Sequence, residues 1–350
     1  MVLVYAATGY TGTLICEELD RQGTPFAVAG RDRARLEALS GRLSSHPRVL
    51  VADVSDPGGL RAMAREARVV LSCAGPFVEM GRPVQDAALE AGAHWLDVTG
   101  EYPFLLATWA RDEEAKARGV ALVNAVGVEV VPSEVAAALA CEGMRPASLR
   151  LAMAGSGGAS RGTSLSTLGV VAQGGVVWEA GALRPEPLAA RAWDAPFPPP
   201  LGTRPCVSVP LADALAAARS TGAPACAGFQ PLGAGPTVLA RRAPFLLRAA
   251  GLLRPLARLA QPGPSRERRA SSRTSVVVEA RGEAGERRTV GVTGGNGYDV
   301  TARIAARCAR LAAGPGFSAR GALTPVQAFG AAVLREGLEQ AGLRFTVEGS

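Results

Sequence analysis

Seven residues near the start of the chain, Ala6-Ala7-Thr8-Gly9-Tyr10-Thr11-Gly12, have the types and spacing to hold a phosphate. They follow a short apolar run and precede a helix-length stretch, which brings backbone N–H groups and a helix N-terminus to where a pyrophosphate can sit. Gly9 lets the backbone approach the phosphates, and Gly12 lets the helix pack closely on the strand. Residues Ala7, Thr8, Gly9, Tyr10, Thr11 and Gly12 are therefore candidate cofactor contacts. The plainer alternative, an ordinary strand-to-helix turn, is weakened by the strand–helix alternation that follows.

The end of the second apolar run selects the dinucleotide. An acidic residue there would take the ribose 2′-hydroxyl of NAD, whereas this chain reads Gly30-Arg31-Asp32-Arg33-Ala34-Arg35. Arginine suits the 2′-phosphate of NADP, so Arg31 and Arg35, one helical turn apart, are expected at the adenosine end and NADP(H) is the expected cofactor. Asp32 would be occupied as a helix N-cap. Asp53, closing the third run, is placed against the adenine amine, with a turn role as its alternative. Cys73-Ala74-Gly75-Pro76-Phe77 ends the fourth run and should pass the nicotinamide ribose, because ligands bind outside the carboxyl ends of such strands. Cys73 is read as a small packing residue and not as a nucleophile.

Acid–base chemistry is less clearly written. His94 stands at the start of its strand, on the side away from the cofactor, and is read as structural. The other end of that strand carries Thr99-Gly100-Glu101-Tyr102. Glu101 and Tyr102 are the candidate catalytic residues, for substrate binding or proton donation, against a capping and packing alternative; Glu129 and Tyr10 stand behind them. The chain has no Tyr-x-x-x-Lys pair, since Lys116 is its one lysine, which excludes the scheme that relies on that pair. No metal site is expected, with six dispersed cysteines, no Cys-x-x-Cys and two histidines.

These residues need a scaffold, and residues 1–125 supply a regular one. Apolar runs at Val2–Ala6, Phe26–Ala29, Val49–Ala52, Val69–Cys73, Trp95–Val98 and Val120–Val123 alternate with helix-length amphipathic stretches. Such runs predict a parallel sheet covered on both faces. The expected fold is α/β: a doubly wound, parallel-sheet Rossmann domain over 1–130, then a smaller mixed α+β domain over 131–322. A C-terminal helix and strand over 323–350 are expected to pack back on the first domain. Thr324-Pro325-Val326-Gln327 supplies an N-cap, a first-turn proline and a capping-box Gln for that helix. Residues 183–205, rich in proline, predict an extended surface excursion, and Pro262–Ser275 a solvated loop. Ser275–Ala280 and Thr289–Thr293 predict a hairpin.

Composition narrows the class further. The net charge of +7 comes with arginines spread along the chain and few aromatics, which argues against nucleic acid. No apolar run is long enough to span a bilayer, and Met1 leads straight into a strand without a signal region, so a cytoplasmic location is expected. The amphipathic stretch 239–260 is expected to pack on the second domain, contact with a membrane surface being the less common use.

Taken together, these segments resemble the saccharopine dehydrogenase-like NADP-binding oxidoreductases, especially the branch called trans-acting enoyl reductases. The likeness is carried by Ala7–Gly12, Ala29-Gly30-Arg31, Cys73–Phe77 and the Asp-x-Thr-Gly-Glu of Asp97–Glu101. Gly162-Thr163, Gly297-Tyr298 with Thr301-Ala302-Arg303, and Leu323-Thr324-Pro325 extend it along the chain. Two positions depart from the family pattern: Ala6 stands where the first loop glycine is usual, and Glu129 where Asp is usual. The resemblance implies hydride transfer between NADPH and a C=C or C=N bond. The expected substrate is an apolar small molecule or carrier-tethered acyl group of secondary or lipid metabolism, and a homodimer is left open. The alternatives are a saccharopine-type amino-acid dehydrogenase or imine reductase, in which Arg161, Arg184 or Arg204 would hold substrate carboxylates, and a non-catalytic NADP-binding protein.

Overall fold

A computed structural model describes residues 1–156, 158, 160–233 and 263–349. The 239–260 stretch therefore lies outside the described residues. From the N-terminus, β1 (Val2–Tyr5), α1 (Tyr10–Arg21), β2 (Phe26–Gly30), α2 (Arg33–Arg42), β3 (Arg48–Val51), α3 (Pro57–Ala64), β4 (Val69–Ser72) and α4 (Phe77–Glu90) alternate strictly. They continue into β5 (His94–Asp97), α5 (Tyr102–Trp109), α6 (Asp112–Ala117), β6 (Ala121–Val123) and α7 (Val131–Ala140). Next come β7 (Pro146–Gly155), α8 (Arg161–Ala172), β8 (Gly175–Glu179), β9 (Ala182–Glu186), β10 (Ala192–Pro196), β11 (Thr203–Ser208), α9 (Ala212–Thr221) and β12 (Cys226–Gln230). The remaining described elements are α10 (Arg266–Ser271), β13 (Thr274–Gly282), β14 (Arg287–Gly294), α11 (Gly297–Ala313), β15 (Gly321–Leu323), α12 (Pro325–Phe329), α13 (Ala331–Gln340) and β16 (Leu343–Gly349).

The chain divides into two compact units. The first holds Met1–Thr99, Pro103–Val128 and Tyr298–Phe329, around a seven-stranded parallel sheet of order β15-β6-β5-β4-β1-β2-β3. Strands β1, β2, β4, β5 and β6 are buried along their whole length, as continuous apolar runs covered on both faces require. Strand order reverses between β1 and β4, so the loops after these two strands flank the switch point of a doubly wound sheet.

The second unit holds Gly100–Tyr102, the described part of Glu129–Gly297, and the chain from Gly330 onward. Its mixed sheet runs β10-β11-β12-β7-β13-β14-β16, with β8 joining β12 to β9. Helices α7 and α9 are buried along most of their length.

Three expectations are corrected. Residues 183–205 are not an excursion, because nearly all of β9, all of β10 and the first half of β11 fall within them, with Trp193, Ala195 and Phe197 buried. Their prolines sit where no ladder donor is needed: Pro196 ends the edge strand β10, and Pro205 precedes the two residues of β11 that pair with β12. Within Pro262–Ser275, Ser265 caps the short helix α10 by accepting the Arg268 N–H, and β13 begins at Thr274. The C-terminal boundaries also differ: α11 and β15 belong to the first unit, β15 pairing parallel with β6, while α13 and β16 join the second, β16 pairing with β14. The capping box at Thr324 and Gln327 forms as expected. The closing helix, however, breaks at Gly330, whose φ of 82° ends α12 before α13 begins.

Candidate functional site

The turn after β1 is tight. Ala6 takes φ 58°, the left-handed region, and accepts a hydrogen bond from the Gly9 N–H at 3.0 Å. The Ala7 N–H donates to the Ala29 carbonyl at 3.1 Å, tying the loop to β2. Helix α1 then starts at Tyr10 with Gly9 at its N-cap, no side chain capping it and no acidic residue in its first turn. The positive end of its dipole is thus not neutralised by a capping side chain, which suits an anion. A Cβ at Gly12 would lie 2.5 Å from the Ala6 carbonyl oxygen, so only glycine lets the helix seat this closely. The cradle fits a pyrophosphate. Tyr10, on the same loop, meets Tyr298 of α11 edge-to-face, with ring centroids 5.0 Å apart.

At the end of β2, Arg31 and Arg35 are both exposed. Asp32 accepts the Arg35 N–H at 3.1 Å as the N-cap of α2, so its charge is spent on the helix. The Arg35 guanidinium donates to the Thr8 carbonyl at 3.1 Å, which places one cation directly on the glycine loop. Asp53 accepts both the N–H (3.0 Å) and the hydroxyl (2.6 Å) of Ser55 on one oxygen. These bonds hold its carboxyl below the usual range, and its observed role is to close a turn. On the far side of the switch point, the Cys73 N–H donates to the Tyr5 carbonyl at 3.0 Å. Burial pushes the Cys73 thiol up to about 12, so it stays protonated, which suits a packing role. Ala74 and Phe77 are buried, Gly75 and Pro76 partly so, as the segment leads into α4.

A buried hydrogen-bond hub underlies the loops after β5 and β6. Asp97, fully buried, accepts from the Thr99 N–H (3.0 Å), the Ala125 N–H (2.8 Å), the Trp95 indole (2.7 Å) and the Asn124 amide (2.7 Å). Asn124 also donates to Thr108, which accepts from Gln85, and Gln85 accepts from Arg111. Burial raises the Asp97 carboxyl to about 6, against the pull of its four donors. In the sequence Asp97 stands out only as the first residue of the Asp-x-Thr-Gly-Glu segment; the fold brings its four donors together. His94, at the other end of β5, is structural as expected: its Nδ1 accepts the Ala121 N–H at 3.0 Å, and burial lowers it to about 4.

The acid–base candidates gather in the second unit. Glu101 is buried and accepts a 2.6 Å hydrogen bond from the Ser166 hydroxyl of α8, a residue the sequence reading did not single out. Tyr102 is buried beside it in sequence, and desolvation raises its hydroxyl, which keeps its proton. Glu129 packs against Gly100, where a Cβ would come within 3.5 Å of its side chain. Glu129 is open to solvent yet hemmed in by protein, and this desolvation raises its carboxyl. Arg161, Arg184 and Arg204 are exposed on the separate elements α8, β9 and β11.

Deeper in this unit, Asp213 of α9 is 1% exposed, and among the described residues no hydrogen bond of good geometry reaches either carboxylate oxygen. Burial raises it to about 7, although Ser133 and the first amides of α9 lie near enough to oppose the rise in part.

Comparison with known proteins accords with this arrangement. Residues 2–123 match the family described as saccharopine dehydrogenase NADP binding domain, so this segment is a domain of that family and the first unit carries an NADP-binding domain. The chain is 34% identical over 152 residues to a saccharopine dehydrogenase-like oxidoreductase of Bos taurus, a match covering 38% of this chain and 35% of the relative. It is 36% identical over 141 residues to a putative trans-acting enoyl reductase of Mycobacterium tuberculosis, covering 38% and 33%. A Caenorhabditis elegans relative, 35% identical over 146 residues and covering 38% and 34%, is called a lipid droplet localized protein. These matches thus span about a third of each curated relative. The fold extends further. Apo saccharopine dehydrogenase (L-Glu forming) from Saccharomyces cerevisiae superposes with a TM-score of 0.65 at 14% identity, covering 99% of each chain.

Proposed function

We propose, from an NADP-binding domain of the saccharopine dehydrogenase type, that the protein is an NADPH-dependent oxidoreductase acting on a polarised C=C or C=N bond. The observation that carries the reading is the pairing of an uncapped helix N-terminus on a glycine turn with Arg31 and Arg35 at the end of β2, Asp32 being occupied as a cap. Backbone amides of Thr11 and Gly12 at the start of α1 would hold the pyrophosphate, and the two arginines the 2′-phosphate. NADPH, when bound, supplies the hydride. The chain supplies the proton and the polarity. Ser166 holds Glu101 in place, Tyr102 keeps its proton and can donate a hydrogen bond, and Glu129, raised by desolvation, is the solvent-accessible acid.

An enoyl group, apolar and carrier-bound, is the substrate favoured by the putative enoyl reductase among the relatives. A second reading has its own observation. Glu101 and Glu129 set two carboxylates near Gly100, which suits a cationic imine and hence the amino-acid branch. Steady-state NADPH oxidation with enoyl thioesters, and separately with amine plus keto-acid pairs, separates the two. Measured NADPH binding with turnover of neither class would sink both and leave a cofactor-binding protein. We place the protein in the cytoplasm; among the described residues no helix is long and apolar enough to cross a membrane. Cell fractionation that recovers it on lipid droplets would overturn this placement.

A further inference from the structure

Edge strands leave backbone donors and acceptors open to another chain unless something blunts them. The first unit's edges are short, four residues in β3 and three in β15. In the second unit the β10 edge has five residues and ends in Pro196, which lacks an N–H. The opposite edge, β16, is seven residues long, carries no proline and has β14 as its one described neighbour. Five large apolar side chains are exposed among the described residues, and two of them, Val333 and Val347, lie on α13 and β16. An exposed apolar side chain such as Val347 on a long unpaired edge strand favours pairing with another strand.

The sequence of this strand, Leu343-Arg344-Phe345-Thr346-Val347-Glu348-Gly349, complements itself. When two copies run antiparallel with Thr346 opposite Thr346, Arg344 of each copy faces Glu348 of the other and Phe345 faces Val347. A slip of one or two residues in either direction destroys both matches: the arginine then meets Val347, Thr346, Gly349 or nothing within the strand. Neither Arg344 nor Glu348 makes an ion pair among the described residues, so both are available. Phe345 is half-buried beneath the Arg335 guanidinium of α13, 5.6 Å from its ring, while Val347 beyond it remains 54% exposed. Opposite residues of an antiparallel pair share a face, so the apolar pairs would fall on the α13 side and the ion pairs on the other.

We propose that β16 is a dimerisation edge, joining β16 of a second copy antiparallel about a two-fold axis through Thr346. The contact is isologous, so each matched pair occurs twice and any change acts twice. Light scattering coupled to size exclusion, run over a dilution series, measures it, with thermal melts to establish that each variant is folded. The wild type is expected to be a dimer. Arg344→Glu sets like charges face to face at both ends and should raise the dimer dissociation constant by roughly tenfold or more. Adding Glu348→Arg to Arg344→Glu restores opposite charges and should bring the constant back to within about threefold of wild type. Thr346→Cys should cross-link under mild oxidation, since the two side chains meet at the axis. A monomeric wild type, a dimer indifferent to Arg344→Glu, or a Thr346→Cys protein that does not cross-link would overturn the proposal.

Discussion

Ala6→Gly separates two consequences of the missing first loop glycine. A β-carbon in the left-handed region costs an L residue roughly 1–2 kcal/mol relative to ordinary helical or extended backbone, and Ala6 sits there at φ 58°. Glycine would remove that strain but adds about 0.4–1 kcal/mol of unfolded-chain entropy. The balance favours the variant by roughly 0.5–1 kcal/mol, or about 1–4 °C in the melting temperature of the first unit. Cofactor affinity should scarcely move. The Ala6 carbonyl already closes the turn with Gly9, and it is Gly12 that cannot bear a β-carbon. Melting followed by circular dichroism and an NADPH titration read by fluorescence test both halves. Ala6→Val, a β-branched residue at the same φ, should move the melt the other way. A lower melting temperature for Ala6→Gly, or a tenfold gain in NADPH affinity, would refute the reasoning, the latter by showing that Ala6 crowds the ligand.

Arg31→Ala, and to a similar degree Arg35→Ala, should weaken NADPH binding about tenfold to a hundredfold while leaving NADH within about threefold, because each removes a charge-assisted bond that NADH does not make; competitive titrations of both cofactors read the difference. Asp97→Asn keeps the shape of the hub but turns one acceptor into a donor against N–H groups, and should cost about 2–4 kcal/mol in urea unfolding, with faster amide exchange at Thr99 and Ala125. Asp213 has a folded value raised to about 7, so the folded state holds its proton more tightly than the unfolded chain. Its contribution is therefore complete below about pH 4 and lost as pH rises through 7, by up to about 4 kcal/mol. Asp213→Asn should remove that fall, and unfolding curves at pH 5 and pH 8 that keep the wild-type difference in the variant would contradict it.

The parts of the fold that were legible are those whose pattern is local. Strands β1, β2, β4 and β6 are buried on both faces and read as apolar runs, and the helices between them as amphipathic stretches. Strand β15 could not be read this way. It has three residues and exists only because β6, some two hundred residues earlier, offers it an edge. Strand β10 was readable in principle: Trp193 and Ala195 are buried while Ala192, Asp194 and Pro196 are exposed, a period of two that the prolines hid.

The candidate site shows the same divide between local and distant causes. Phosphate recognition rests on backbone conformation, and backbone conformation constrains residue type: Gly12 is fixed by a 2.5 Å approach that nothing larger survives. Acid–base roles rest on neighbours brought from elsewhere, and those neighbours can reverse a reading based on residue type alone. Glu101 and Glu129 are the same chemical group. Glu101 is buried and held by a serine 65 residues away, whereas Glu129 keeps contact with solvent and is raised by the protein crowding it. A proton donor must recover its proton from water after each turnover. That condition favours Glu129 as the proposed donor, with Glu101, held by Ser166, as the proposed positioning group.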